Sequence, residues 1–184
     1  MPPARYSLPS IFLHWLTVLL IAAAYATIEL REFFPKGSEL REALKSWHYA
    51  IGLSIFALVW LRLLLRAVVP TPRGDEPRPR WEALASGVVH LGLYALMIAT
   101  PLLGWLLLSA EGDPVLWFGL ELPPLVAPSE SLAERVESLH QAVGKAGYGL
   151  IGVHAAAALL HHYLFSDAVM ARMLPTRTAV WRAR

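Results

Sequence analysis

The stretch from His140 to His162, HQAVGKAGYGLIGVHAAAALLHH, restricts the fold more than any other part of the chain. Its Gly, Ala and Leu content is that of a helix crossing a bilayer, yet it carries imidazoles. His140 and His154 stand fourteen positions apart. At 1.5 Å per residue and 3.6 residues per turn, that spacing covers about 21 Å of helix and returns to nearly the same face. The hydrocarbon layer of a bilayer is about 30 Å thick. One helix therefore presents two imidazoles to a bundle interior, one towards each side of the membrane. Ionisable groups at such depth are costly and mark function by default, so each of the two needs a partner elsewhere in the chain.

With 56% hydrophobic residues over 184, the sequence is too apolar for an ordinary soluble domain of this size. There is no cysteine, which removes disulfides, thiolate metal sites, iron–sulfur ligation and covalent c-type haem attachment together. Histidine is left as the main ligand for a transition metal. A net charge of +2 without a basic, aromatic-interleaved run excludes nucleic acid as a partner.

Four apolar segments follow one another, at about residues 7–30, 40–66, 83–110 and 132–165. They predict a single membrane domain over residues 1–184, an all-α integral membrane four-helix bundle with lipid around it. The competing reading of the first segment is a cleaved signal peptide. That would need a basic n-region, a shorter apolar run and a small-residue cleavage site, whereas only Arg5 precedes this run, which is long enough to span. Pro70 and Pro72 stop the second helix. Pro101 sits inside the third, where a membrane helix tolerates it with a kink. Ser131 and Glu134 read as a capping box that starts the fourth. No repeat or low-complexity region interrupts the pattern.

Lys and Arg beside the spans set the orientation. One side collects ten (Arg5, Arg62, Arg66, Arg73, Arg78, Arg80, Arg172, Arg177, Arg182 and Arg184), the other six (Arg31, Lys36, Arg41, Lys45, Arg135 and Lys145) together with most of the acids. Both termini and the 67–82 connection are expected in the cytoplasm. The 31–39 and 111–130 connections face outward, and the second, with PVLWFGLELPPLV, is expected to lie on the interface.

This topology sorts the histidines by depth. His14 is early in an outward-running span and His154 late in an inward-running one, so both lie on the inner side. His48 and His140 are each early in an inward-running span and lie on the outer side. Two bis-histidine sites stacked in a four-helix bundle are what two b-type haems require, since an iron porphyrin takes an axial imidazole on each face. Gly52 follows His48 by four and Gly144 follows His140 by four, leaving room on the same faces for a flat macrocycle. Glycine is also a common packing residue of membrane helices. His90, on the inner side of the third span, is either a substitute for one inner ligand or a buried hydrogen-bonding histidine.

Other residues carry two readings each. His161 follows His154 by seven and points along the same interior line, either as an interfacial contact or as hydrogen-bond and proton donor to a substrate at the inner site; His162 is turned away from that line. Arg62 and Arg66 either snorkel to lipid phosphate or pair with haem propionates. Lys45, Lys145, Arg41 and Arg135 at the outer ends either are ordinary rim charges or focus a small anion. Trp15, Trp47, Trp81, Trp105 and Trp117 read as interface anchors.

The segments IFLHW at 11–15, KSWHYAIGLSI at 45–55, RLLLR at 62–66 and GYGLIGVHAAAALLHHY at 147–163, with the FFP after the first span and the RMLP near the end, resemble the bacterial cytochrome b-561 family, and within it the di-haem members that oxidise superoxide. The resemblance covers almost the whole chain. It implies two haem b groups, one held by His14 and His154 and the other by His48 and His140, in the bacterial inner membrane. It further implies an oxidoreductase that takes electrons from periplasmic superoxide, releases dioxygen and reduces ubiquinone on the inner side, with His161 at the quinone, and that needs no protein partner. Relatives can carry a second histidine three residues before the position of His90; here that residue is Gly87, which argues against an essential ligand there. The alternative role for the same haems is a cytochrome b subunit linking a dehydrogenase or hydrogenase to the quinone pool.

Overall fold

The computed structural model describes residues 5–70, 72, 79–165 and 170–174. Four long helices account for most of them: α1 Leu8–Arg31, α2 Glu39–Val68, α3 Arg80–Glu111 and α4 Glu130–Tyr163. Each holds an 18-residue window of mean hydropathy between 1.3 and 2.0, and each is long enough to cross a bilayer. Of the residues that set the orientation, Arg73, Arg78, Arg177, Arg182 and Arg184 lie outside the described residues.

The helix ends follow local chemistry. Ser7 caps α1 by accepting from the Ser10 N–H at 3.4 Å, with Pro9 in the first turn, where its missing donor does no harm. Ser38 caps α2 in the same way, and Glu39 and Glu42 in its first turn complement the helix dipole. Arg41 then closes the α1–α2 corner. Its guanidinium donates to the Arg31 carbonyl at 2.8 Å and the Phe34 carbonyl at 3.0 Å, and reaches Glu32 at 3.2 Å. It satisfies carbonyls that the end of α1 leaves without intrahelical donors.

The start of α4 differs from the sequence expectation. The helix begins at Glu130 with Ser129 as cap residue, so Ser131 is already inside the first turn and the Ser131–Glu134 capping box does not form. The Ser129 N–H is instead donated to the Ala110 carbonyl at 2.8 Å, which fixes the chain's entry two residues earlier.

Between α3 and α4 the chain makes a hairpin of β1 Val115–Trp117 and β2 Leu120–Leu122, an addition to the all-helical expectation. Gly112 ends α3 at φ +80°, the left-handed geometry that favours glycine after a helix. Phe118 and Gly119 form the two-residue loop, both at positive φ, as a turn matching the strand twist requires. The hairpin packs against α2 and α3 rather than lying apart from them. Val115 is buried with Leu53 and Leu108, and Tyr49, Trp105 and Trp117 flank them.

α1 packs along α2 and α3 along α4, and the two pairs meet chiefly through α2 and α3. The deepest cluster is Ile51, Ile55 and Val59 of α2 with Met97 of α3, flanked by Leu20, Ile21, Ala23 and Ala24 of α1. The apolar surface left over is large: Leu8, Phe12, Leu19, Leu64, Leu91 and Leu160 are all exposed. An apolar belt of this extent on all four helices suits a hydrocarbon surrounding.

Candidate metal-cofactor sites

α4 faces α1 and α2 across a thin interface, and it is there that the histidines meet. At the end of the bundle that the charge pattern places outward, the rings of His48 and His140 lie 6.2 Å apart, centroid to centroid. At the end it places inward, His14 and His154 lie 6.4 Å apart. A metal held between two opposed rings, bound by one nitrogen of each at about 2.0 Å with that nitrogen about 1.1 Å from its ring centre, needs centroids roughly 6.2 Å apart. Both pairs therefore fit an ion between them.

The surroundings fit a planar group around such an ion. A Cβ added at Gly52 or Gly144 would meet nothing within 4 Å, so the faces one turn beyond His48 and His140 are open. In the outer pair, His48 Nδ1 lies 2.9 Å from the Ala24 carbonyl. That nitrogen must carry the proton and donate it, which leaves Nε2 with a free lone pair for a metal. The His140 ring lies against Gly104 of α3, where an added Cβ would sit 3.4 Å from its Cε1. Its buried Nδ1 closes no well-formed hydrogen bond, although the Thr100 backbone faces it.

The inner pair is surrounded differently. Arg62 brings Nη2 to 3.3 Å from His14 Nδ1, and its guanidinium lies over the Tyr94 ring at 5.8 Å. Arg66, one turn further, is exposed. The His90 ring stands 5.3 Å from that of His154 and nearly perpendicular to it, closer than two ligands on opposite sides of one metal stand. His90 Nδ1 donates to the Ser86 carbonyl at 2.6 Å, and the ring packs on a member of the inner pair.

Further along α4, the sequence expectation for the paired histidines changes. His162 is the buried one, stacked near Tyr163, and His161 is half-buried beside Phe165. Three tryptophans read as interface anchors use their indole N–H inside the protein. Trp15 donates to the Met173 carbonyl at 2.7 Å, Trp105 to Pro123 at 3.1 Å and Trp117 to Ser54 at 3.1 Å. Of the outer cations, Arg41 is tied into the α1–α2 corner, and Lys45 lies over Tyr49 at 5.7 Å.

Sequence reasoning missed Ala24, Gly104 and the Tyr25 hydroxyl, which donates to the Gly144 carbonyl at 2.7 Å and bridges α1 to α4. One signal for Gly104 was present: it follows His90 by fourteen, the spacing of His140 and His154. The two helices run antiparallel, so His90 meets His154 and Gly104 meets His140.

Four spanning helices that gather histidines into one facing pair near each side describe a multi-pass membrane protein equipped for a metal cofactor. A family model described as prokaryotic cytochrome b561 matches residues 5–176, and the chain belongs to that family, whose members bind haem b and carry electrons within the membrane. It is 36% identical over 173 residues to cytochrome b561 homolog 1 of Escherichia coli (strain K12), covering 94% of this chain and 98% of that one. It is 35% identical over 176 residues to the probable superoxide oxidase CybB of Yersinia pestis, covering 94% and 97%. Cytochrome b561 homolog 2 of Escherichia coli (strain K12) is 28% identical over 180 residues, covering 94% and 92%. Oxidoreductase activity and a multi-pass place in a bacterial membrane accord with these relatives.

Proposed function

We propose that the protein is a superoxide:ubiquinone oxidoreductase of the bacterial inner membrane, with both termini cytoplasmic and one haem b at each histidine pair. The observation that carries this reading is the pair of ring separations, 6.2 and 6.4 Å, each within about 0.2 Å of the spacing that a metal between two opposed imidazoles requires. A relative bearing the name of probable superoxide oxidase over nearly its whole length supports the choice of donor.

The chemistry that the two haems supply when bound is one-electron transfer from the outer to the inner side. His48 and His140 would hold the outer group, and His14 and His154 the inner one. With two imidazoles of the chain holding each group, superoxide would give up its electron without binding the metal. Two superoxide ions lose one electron each and leave as dioxygen, and one quinone takes two electrons and two protons to become quinol. His161, half-buried on the inner stretch of α4, would deliver those protons at a near-neutral working pH. Gly52 and Gly144 would leave room for the group held by His48 and His140. Arg62 and Arg66 lie at the inner end of α2, where propionates or the quinone head would meet a cation.

Stopped-flow absorbance tests the reading. Oxidised protein mixed with a superoxide pulse should show fast reduction of two bis-histidine haems, reversed by added ubiquinone. A haem-loaded protein that ignores superoxide would transfer the assignment to an electron-transfer subunit serving a dehydrogenase or hydrogenase. A colourless protein would sink both.

A further inference from the structure

The two histidine pairs have nearly equal spacing but opposite electrostatic surroundings. At the outer pair, His48 Nδ1 donates to a neutral acceptor, the Ala24 carbonyl. A ligand imidazole that gives its N–H to a carbonyl becomes a better electron donor through its other nitrogen, and this favours the more positive, oxidised metal. The charged group facing His48 is Arg31, which is bonded to the Glu32 carboxylate at 3.2 Å. Its charge is compensated at the rim.

At the inner pair, the partner of His14 Nδ1 is the Arg62 guanidinium. A guanidinium has donors only and cannot be deprotonated in a protein, so it cannot accept an N–H from the ring. It therefore donates to Nδ1, which leaves the proton of a neutral ring on Nε2; a metal taken at Nε2 would return that proton to Nδ1 and end the contact. Among the described residues no carboxylate pairs with Arg62; its neighbours are Tyr94 and the second cation Arg66. With a haem bound, His14 would have no lone pair at Nδ1 for Arg62, whose guanidinium would turn to a propionate. Its positive charge would stay beside the inner group in a medium of low dielectric, where it interacts strongly.

Resting on the di-haem reading above, we infer that the inner site holds its haem at the higher reduction potential and that Arg62 is the positioning charge that sets the difference. The second shell thus gives internal electron transfer its direction, towards the side on which quinone is reduced.

A redox titration of the purified holoprotein, followed at the α band, reads this directly. Haem content and a bis-histidine spectrum are checked first, because a wild type with fewer than two haems defeats the di-haem reading and not the potential ordering. In Arg62→Gln only the higher of the two midpoints should fall, by at least the equivalent of a tenfold change in the reduction constant, 59 mV for one electron. Arg62→Lys, which keeps the charge, should restore most of it. A shift of the lower midpoint, an equal shift of both, no shift, or a lysine variant that behaves as the glutamine one overturns the inference. If Arg62→Gln loses its inner haem, the wild type in oriented proteoliposomes decides. A gadolinium chelate confined to the outer face should broaden the EPR signal of the lower-potential haem. Broadening of the higher-potential signal overturns the inference.

Discussion

An imidazole inside an apolar bundle loses its hydration and must find partners for two ring nitrogens. His48 shows how the chain meets that demand: Nδ1 goes to the Ala24 carbonyl, and the ring lies 6.2 Å from that of His140. Removing either member of a pair should therefore empty one site and leave the other. We expect His48→Ala and His140→Ala each to lower haem content from two to one per chain by pyridine haemochrome assay, with the remaining haem still bis-histidine; loss of both haems in either variant would contradict independent sites. The four paired histidines were legible in the sequence because ionisable side chains in apolar runs stand out against their context. The Ala24 carbonyl was not, since a backbone oxygen leaves no trace in residue type. Gly104 was hidden for a different reason: glycine is so common in membrane helices that one more in α3 carries no signal until its fourteen-residue phase with His90 is noticed.

The elements were legible because each apolar run is uniform over more than four turns, and uncertain at their ends, where single side chains decide. The S-x-x-E pattern at Ser131 pointed to a cap, but a backbone bond from Ser129 to Ala110 placed the start of α4 two residues earlier. The hairpin at Val115–Leu122 was unreadable among prolines and large apolar residues that also suit an interfacial loop. Arg41 matters at this scale because it joins two helix ends through three acceptors. Arg41→Ala should lower stability against unfolding by about 1.5–3 kcal/mol, the range for a hydrogen bond to a charged group, with haem content unchanged. Glu32→Gln should cost less, since both carbonyl acceptors of Arg41 remain. Slight desolvation raises the Glu32 carboxyl, but Arg41 and Arg31 outweigh it and hold the group below its usual value. A carboxyl lowered by folding stabilises the fold above its unfolded pKa, and that contribution is lost as pH falls through the folded value. Melting curves of wild type and Glu32→Gln should therefore differ at neutral pH and converge in acid, below the usual carboxylate range.

For the whole molecule, the uneven charge of the two sides predicts a direction across the membrane, and with it which histidine pair lies outward. The chain lacks cysteine, so single introduced thiols report sidedness without background. Glu121→Cys in the hairpin should react with an impermeant maleimide in intact cells with a permeabilised outer membrane. Arg80→Cys at the start of α3 should react only after the inner membrane is opened. The reverse pattern would exchange the inner and outer sites and, with them, the proposed direction of electron flow.

That α4 supplies one imidazole to each pair also has a consequence for how the protein comes into being. Of the four spanning helices it is the last to leave the ribosome, and until it enters the bilayer neither His14 nor His48 has its counterpart. With haem at the two pairs as proposed, cofactor capture would wait for the end of synthesis, and a nascent chain halted before α4 would have no two-sided seat for it.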